Sequence, residues 1–226
     1  SGAELPPHTS AECDAVAAAM VELHRTMEVL TRATETPKAA KQDLASIDPQ
    51  ALAVAVALDD LVELFEDALE VDAAALRAHH AAAFAWALAR PALRDIALVQ
   101  WCAGREMGER ALEAQLRWED GEPFPEAIAR YMWGEAPRPD AGRLQRALEF
   151  VRHVAALSPD DVRAGALAAA GWLAWALGRS THAGVYAEAA ASLDSEHTLA
   201  GILRAYLGAG HLPEWAYERG AERPAT

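Results

Sequence analysis

The segment from residue 163 to residue 197 carries small side chains at helical spacing on both sides of one glycine. Gly171 and Ala174 precede a break at Gly178, and alanines follow the break at positions 183, 187 and 190. Small residues that recur in this way let two antiparallel helices pack almost backbone to backbone, which is the unit of helical-repeat proteins. The segment therefore predicts a helical hairpin within an all-α fold.

The composition of the 226 residues supports that fold class, because 52% are apolar and alanine dominates them. Alanine has the highest helix propensity, and no run of alternating β-branched or aromatic residues predicts a strand. We predict about nine to eleven helices in a right-handed, tetratricopeptide-like array of helical hairpins. They form a single domain over residues 1–226, with a candidate seam near residues 119–140 between an N-terminal helical part (9–118) and a C-terminal repeat-like part (140–219).

Apolar residues spaced three and four apart place the individual helices. The predicted segments are a long helix from Thr9 or Ser10, a linker at 34–42, helices at 49–70, 73–90, 93–103 and 106–118, a short helix holding Tyr131 and Trp133, helices at 142–157, 160–178, 181–193 and 196–208, and a stub at 213–218. Asp48 and Pro49 give an N-cap and a first-turn proline for the second helix, and Pro91 is expected to stop the third.

The net charge of −14 is concentrated at the N-terminus, where residues 1–75 hold 15 acidic and 4 basic side chains. A field of this sign repels phosphate groups, so we expect neither nucleic acid nor a membrane surface as a partner. No stretch reaches the roughly 20 apolar residues of a membrane span. The chain begins with Ser-Gly, from which we expect an excised fragment of a longer protein.

Residues that could carry chemistry do not form a recognisable constellation. Cys13 and Cys102 cannot make a disulfide framework, which favours a reducing, cytoplasmic setting. His79 and His80 are adjacent on a helix and point about 100° apart, so they cannot chelate one metal ion together. The acidic stripe after residue 58 lacks the Glu-x-x-His motifs of di-metal bundles. We therefore predict no catalytic residue, no metal site and no cofactor, and leave the question of an enzyme open.

The hairpin resembles a single tetratricopeptide repeat. Gly171 and Gly178 fall at the helix-A and turn glycines of that repeat, and Ala183 and Ala190 at its two helix-B alanines. The usual aromatic and proline positions differ, being Leu167, Ala174, Ala187 and Ser195 in this chain. One imperfect unit implies a tetratricopeptide-like hairpin and not an array of at least three peptide-binding repeats.

A broader resemblance covers roughly the C-terminal half. Residues 91–101 (PALRDIALVQW) and 171–213 (GWLAWALGRS through GAGHLP) are similar to the terminal pattern of the bacterial, mainly actinobacterial, family called domain of unknown function 4192. The resemblance implies a helical fold and an additional N-terminal region that this chain lacks. That family has no established activity, so no site residue is implied.

Aromatic side chains in the last third are the candidates for an interaction surface. They are Trp172, Trp175, Tyr186 and Tyr206. Tryptophan and tyrosine are favoured both in cores and at interfaces, so core packing and an exposed groove or dimer contact both stay open.

Three functions compete on these observations. We expect first a non-catalytic domain that binds a protein, through these aromatic residues or through the acidic N-terminal helices. The second is self-association through the stripe of the first helix that contains Leu23. The third is part of an enzyme or small-molecule binder that a missing N-terminal region completes, with His79, His80, Arg105 and Glu106 converging on a pocket.

Overall fold

The computed structural model describes residues 2–35 and 41–217, and no strand occurs among them. Eleven helices in these residues have seven residues or more, as the sequence predicted. The α-helices are α1 (Ser10–Glu35), α2 (Lys41–Leu44), α3 (Pro49–Ala57), α4 (Leu61–Asp67), α5 (Ala78–Leu88), α6 (Pro91–Ala103), α7 (Arg105–Glu119), α8 (Glu126–Trp133), α9 (Ala141–Leu157), α10 (Asp160–Ala176), α11 (Ser180–Leu193) and α12 (Thr198–Gly208). Short 3₁₀ turns lie at Ala73–Ala75 and Glu214–Ala216. None of the described helices combines the length and the apolar character that a membrane crossing requires.

Helix α10 lies at the centre of the molecule. All its residues from Ala164 to Ala176 are buried, and it packs against α5, α6, α9, α11 and α12. Its small residues explain how so many helices approach it. At Gly171, an added Cβ would lie 3.2 Å from the Leu203 side chain and 3.4 Å from the carbonyl oxygen of Ala183. The predicted close packing of α10 on α11 is therefore confirmed.

The turn between α10 and α11 depends on Gly178, which has a φ of +73°. The Gly178 N–H donates to the Trp175 carbonyl oxygen at 2.8 Å, and the Arg179 N–H donates to that of Ala174 at 2.8 Å. This pair of bonds is the Schellman ending of a helix, in which glycine takes the left-handed position at no steric cost. The chain then reverses into α11, which completes the hairpin.

The N-terminal helix α1 packs its apolar stripe inside the chain. Val16, Met20 and Leu23 are buried, and α1 contacts α3, α5 and α9. Leu23 has no exposed surface. The stripe considered above for self-association is thus used within the molecule. Of the predicted linker at 34–42, residues 36–40 lie outside the described residues.

Two predicted helix boundaries are wrong. The segment 49–70 is two helices and not one, because the Asp60 carboxylate accepts the Glu63 N–H at 3.1 Å and begins α4 as a new helix. Asp72 caps only the 3₁₀ turn at Ala73–Ala75, and the expected third helix begins later, as α5. The third helix ends before Pro91, as predicted, and Pro91 itself occupies the first turn of α6, where its missing N–H costs nothing.

One continuous cluster of buried apolar side chains extends from Ala3 to Trp215. It includes residues on both sides of the candidate seam at 119–140, and α5 and α6 contact α9 and α10 directly. The two parts named in the sequence analysis therefore share one core.

Candidate functional site

The four aromatic residues predicted as an interaction surface lie mainly in the core. Trp172, Trp175 and Tyr186 are 1%, 0% and 2% exposed, and Tyr206 is half-buried. The indole N–H groups of Trp172 and Trp175 donate to backbone carbonyl oxygens at 3.1 and 2.9 Å, so their polar edges are satisfied internally. Of the two interpretations left open, core packing applies to Trp172, Trp175 and Tyr186, and the expectation of an exposed surface is corrected at these three positions.

The segment after α12 covers Trp175. The rings of Tyr206, His211 and Trp215 lie 5.5, 6.1 and 6.3 Å from it, centre to centre. Trp215 is 3% exposed, and its indole N–H donates to the Ala176 carbonyl oxygen at 2.9 Å. Residues 213–217 of the predicted stub therefore fold back as a cap over Trp175. Glu218 lies outside the described residues.

Two other tryptophans are exposed. Trp118, in the last turn of α7, and Trp133, the last residue of α8, have 55% and 42% of their surface accessible. Both line a groove of about 280 Å³ between α6, α7 and α8, which we call the tryptophan groove. Its other lining residues are Ala92, Asp95, Ile96, Val99, Ala111, Gln115, Phe124, Ile128, Ala129 and Met132.

Buried tryptophans hold the end of α8, which carries Trp133, in place. Trp172 donates to the Met132 carbonyl oxygen at the end of α8, and the Glu214 N–H donates to the Gly134 carbonyl oxygen at 2.8 Å. Gly134 has a φ of +80°, and an added Cβ there would lie 2.6 Å from the Trp175 ring. The end of α8 is thus hydrogen-bonded both to Trp172 of α10 and to Glu214 of the segment after α12, and Trp133 faces the groove.

A second cavity, of about 390 Å³, lies between α4, the 3₁₀ turn at Ala73–Ala75, α5 and α9. Its buried lining is apolar and includes Leu64, Phe84 and Phe150. Its exposed lining is mixed: it holds the four carboxylates of Asp60, Glu63, Asp67 and Glu70 beside Val71, Ala75 and Arg77. Because carboxylates predominate among its exposed polar groups, we call this the acidic-mouthed pocket.

The carboxylates at this mouth are not equivalent. Glu63 forms an ion pair with Arg105, and Asp60 caps α4. Asp67 and Glu70 have no ion-pair partner within 4 Å among the described residues. Glu70 nevertheless acts electrostatically on Arg143, whose pKa it helps to raise.

His80 and Arg77 also line the acidic-mouthed pocket. Burial lowers the pKa of His80 below its ordinary value, and the nearby positive charges of Arg77 and His79 lower it further. The His80 ring is consequently neutral at pH 7 and offers a hydrogen-bonding edge without charge. The lining, taken with a neutral His80, carries four carboxylates against one guanidinium.

The four residues proposed for an enzyme site do not converge. His79 lies 3.6 Å from the Asp48 carboxylate and lines a different cavity from His80. Arg105 pairs with Glu63 and Glu109, and no cavity found here contains both it and a histidine. Within residues 2–35 and 41–217, no group of three or more His, Cys, Asp or Glu side chains could hold a metal ion.

A scan against models of protein families, a search of curated proteins and a search of solved structures found no match to this chain. The resemblance to the family called domain of unknown function 4192 stays a prediction.

Proposed function

We propose that this chain is a non-catalytic helical domain that binds a protein partner through the tryptophan groove. The observation that carries the proposal is the pair of exposed tryptophans, 55% and 42% accessible, at the edge of an apolar groove. Large exposed aromatic side chains beside an apolar depression are typical of interfaces, where tryptophan is enriched among the residues that dominate binding energy. The free thiols of Cys13 and Cys102 agree with the proposed cytoplasmic setting.

The groove has room for a few anchor side chains. Its volume of about 280 Å³ is close to the lower limit of the ~300–1,000 Å³ of most ligand pockets. Phe124 and Met132 contribute adaptable apolar surface beside the two indoles. We therefore propose as partner an amphipathic segment that inserts apolar side chains between Trp118 and Trp133.

The charges near the groove specify the flanks of that partner. Glu119 ends α7, Asp120 and Glu122 follow it in the next loop, and all three are exposed. Glu126 begins α8 on the far side of the same loop and is also exposed. Lysine or arginine residues beside the apolar anchors would meet this acidic end of the groove, which raises both specificity and association rate.

The test is a selection of random displayed peptides on the folded chain, followed by affinity measurement with synthetic copies. We expect enriched peptides with apolar anchors and adjacent Lys or Arg. The double variant Trp118→Ala/Trp133→Ala should weaken their Kd by about 30-fold, the counterpart of about 2 kcal/mol for central interface residues. Because both side chains are exposed, the circular dichroism of the variant should equal that of the wild type.

Tyr217→Ala is the matched control, since Tyr217 is an exposed aromatic residue (70%) that does not line the groove. It should leave the Kd unchanged. Peptides that bind the double variant as tightly as the wild type would refute the groove as the docking site. A concentration-dependent molecular mass that the double variant abolishes would instead identify a second copy of this chain as the occupant.

A further inference from the structure

We propose that residues 2–9, which precede α1, form a latch that opens when the buried His153 ring beneath them takes up a proton. We call this segment the N-terminal strap. It lies against α9 at His153 and against α11 at its start, where a Cβ added to Gly2 would lie 3.0 Å from the Cε1 atom of His182. Neither the strap nor His153 lines the tryptophan groove, so the latch is independent of the proposed function.

The strap is held to the core by side-chain contacts. Ala3 is 4% exposed and belongs to the core cluster, and the Arg152 guanidinium donates to the carbonyl oxygen of Glu4. The strap precedes the first helix, and Pro6 and Pro7 have no N–H to donate. It can therefore detach without unwinding a helix.

The imidazole rings of His8 and His153 pack against each other where the strap meets α9. Their centres are 5.3 Å apart and their planes meet at 75°, which is an edge-to-face contact. His153 is 9% exposed, and the side chain of His8 is 10% exposed. The Nδ1 atom of His153 and the Nε2 atom of His8 are buried without a hydrogen-bond partner in the described residues. The two rings are thus packed as apolar side chains are.

A proton on His153 is unfavourable while the strap is closed. A neutral imidazole carries hydrogen on one nitrogen, whereas the imidazolium carries it on both. The charged ring would therefore hold a buried N–H at Nδ1 without an acceptor, in a place shielded from water. Opening of the strap removes both costs, because it exposes the ring to solvent.

The groups around His153 act in both directions. Burial lowers its pKa below the ordinary value of 6.5, and the neighbouring ring of His8 lowers it further. Arg152 on α9 acts in the same sense, whereas Glu149 on α9 and Asp72, which caps the 3₁₀ turn, oppose it. Neither carboxylate bonds to the buried Nδ1 atom. Burial and the positive charges therefore outweigh the two carboxylates.

Glu12 of α1 faces the other edge of the ring pair. Its carboxylate lies 3.9 Å from the Nδ1 atom of His8 and accepts hydrogen bonds from the N–H and the hydroxyl of Thr9, each at 2.7 Å. These bonds lower the pKa of Glu12 below its ordinary value of 4.5. Glu12 is therefore charged above pH 5, and a change in the strap above that pH does not come from loss of this cap.

The pH dependence of opening follows from the two environments of His153. Its pKa is below 6.5 in the closed strap and returns to 6.5 in water, so the open form takes up the proton first and gains as the pH falls through 6.5. The opening equilibrium constant rises at most about tenfold per pH unit. Between pH 7.5 and 5.0 the rise is up to about 30-fold, of which less than about twofold falls above pH 6.5.

The test is the reactivity of a thiol introduced at position 3. Ala3→Cys in a Cys13→Ser background leaves that thiol and Cys102, which is 3% exposed. Both react with 4,4′-dithiodipyridine at pH 7.5 to 5.0, and each rate is divided by that of an unfolded peptide with the same thiol at the same pH. The ratio gives the protection of each site. We expect protection at position 3 to fall by up to about 30-fold and that of Cys102 to stay within about twofold.

Variants assign the change to His153. His153→Phe keeps a ring without a titratable nitrogen and should make the protection at position 3 independent of pH. His153→Gln is the second uncharged replacement, used if the first loses its helical circular dichroism. His24→Phe is the matched control, since His24 is an exposed histidine on α1, and it should leave the pH response unchanged.

A measurement on the chain without the introduced thiol tests the cause. The NMR titration of the His153 ring should give a pKa below 6.5, and His8→Ala, which removes the covering ring, should raise it.

Three results would overturn the proposal. Protection at position 3 that changes less than about twofold over this pH range would show that the strap does not open with pH. A response that persists in both His153 variants would assign it to another group, and an equal loss of protection at Cys102 would mean that the whole core opens. Because none of these substitutions lies in the tryptophan groove, failure here leaves the proposed protein-binding function standing.

Discussion

The sharpest test of the packing around α10 is the substitution Gly165→Ala. A Cβ at residue 165 would lie 2.3 Å from the carbonyl oxygen of Leu88 and 2.7 Å from the Cα of Ala89. These are backbone atoms at the end of α5, so no rotamer change relieves the overlap and the two helices must separate. Overpacking a core costs about 1–3 kcal/mol, occasionally more, and a backbone overlap this close belongs at the upper end.

The same change carries a compensating gain, because alanine is better than glycine in a helix by about 1 kcal/mol. The net loss in free energy of unfolding is then about 2–3 kcal/mol, or roughly 5–10 °C in Tm for a domain of this size. Urea unfolding followed by circular dichroism measures it. Gly201→Ala is the matched control, since Gly201 lies in α12 with nothing within 4 Å of its added Cβ, and should gain up to about 1 kcal/mol. Equal shifts in the two variants would refute the reasoning.

Three further predictions concern polar, thiol and aromatic groups. The Arg143 guanidinium donates two hydrogen bonds to the Glu66 carboxylate, at 2.6 and 2.9 Å, and thereby lowers the pKa of Glu66. The stability that this ion pair contributes is therefore complete above the ordinary pKa of 4.5, and it is lost as the pH falls through the lowered pKa of the folded state. Glu66→Gln should therefore cost about 2 kcal/mol near pH 7 and much less near pH 3, and an equal cost at both would contradict the pairing. Burial raises the pKa of the Cys102 thiol to about 12, so iodoacetamide should modify Cys13 alone in the folded chain and both thiols in urea; two modified thiols in the native protein would be the contrary result. Trp215→Ala should cost about 3–5 kcal/mol in urea unfolding, because the indole is 3% exposed and hydrogen-bonded; an unchanged midpoint would show that the cap is not part of the core.

The last third of the chain could be predicted closely because its signals are local. Short breaks and glycines predicted helices at 160–178, 181–193 and 196–208, and the structure has α10 at Asp160–Ala176, α11 at Ser180–Leu193 and α12 at Thr198–Gly208. Each end is determined by residues within one turn of it, such as Gly178 with its left-handed backbone. The remaining offsets are one or two residues, which is the usual uncertainty of a helix end.

The helix boundaries in residues 49–70 were harder to predict, because the apolar residues keep helical spacing across the break between α3 and α4. Leu58, Leu61 and Leu64 keep helical spacing across Asp59 and Asp60, so the pattern predicts one helix. Instead, α3 ends at Ala57, and the Asp60 side chain caps α4 as a separate helix. Periodicity reports which side chains share a face, whereas a cap competes for the backbone N–H groups that a continuous helix would use.

The exposure of the tryptophans could not be predicted for a different reason: it depends on contacts far apart in the chain. Trp172 and Trp175 carry the stronger local signal, being three residues apart on one helix, yet residues 211–215 fold back to cover Trp175. Trp118 and Trp133 each lie at the C-terminal end of a helix, before a loop with two prolines, and 55% and 42% of their surfaces are accessible. The signal that could have found them is position: a large aromatic residue at a helix end beside a loop has fewer neighbours to bury it than one in mid-helix. Both candidate sites accordingly lie where the regular helical packing is interrupted, whereas the regular hairpin of α10 and α11 uses its aromatic side chains to hold the molecule together.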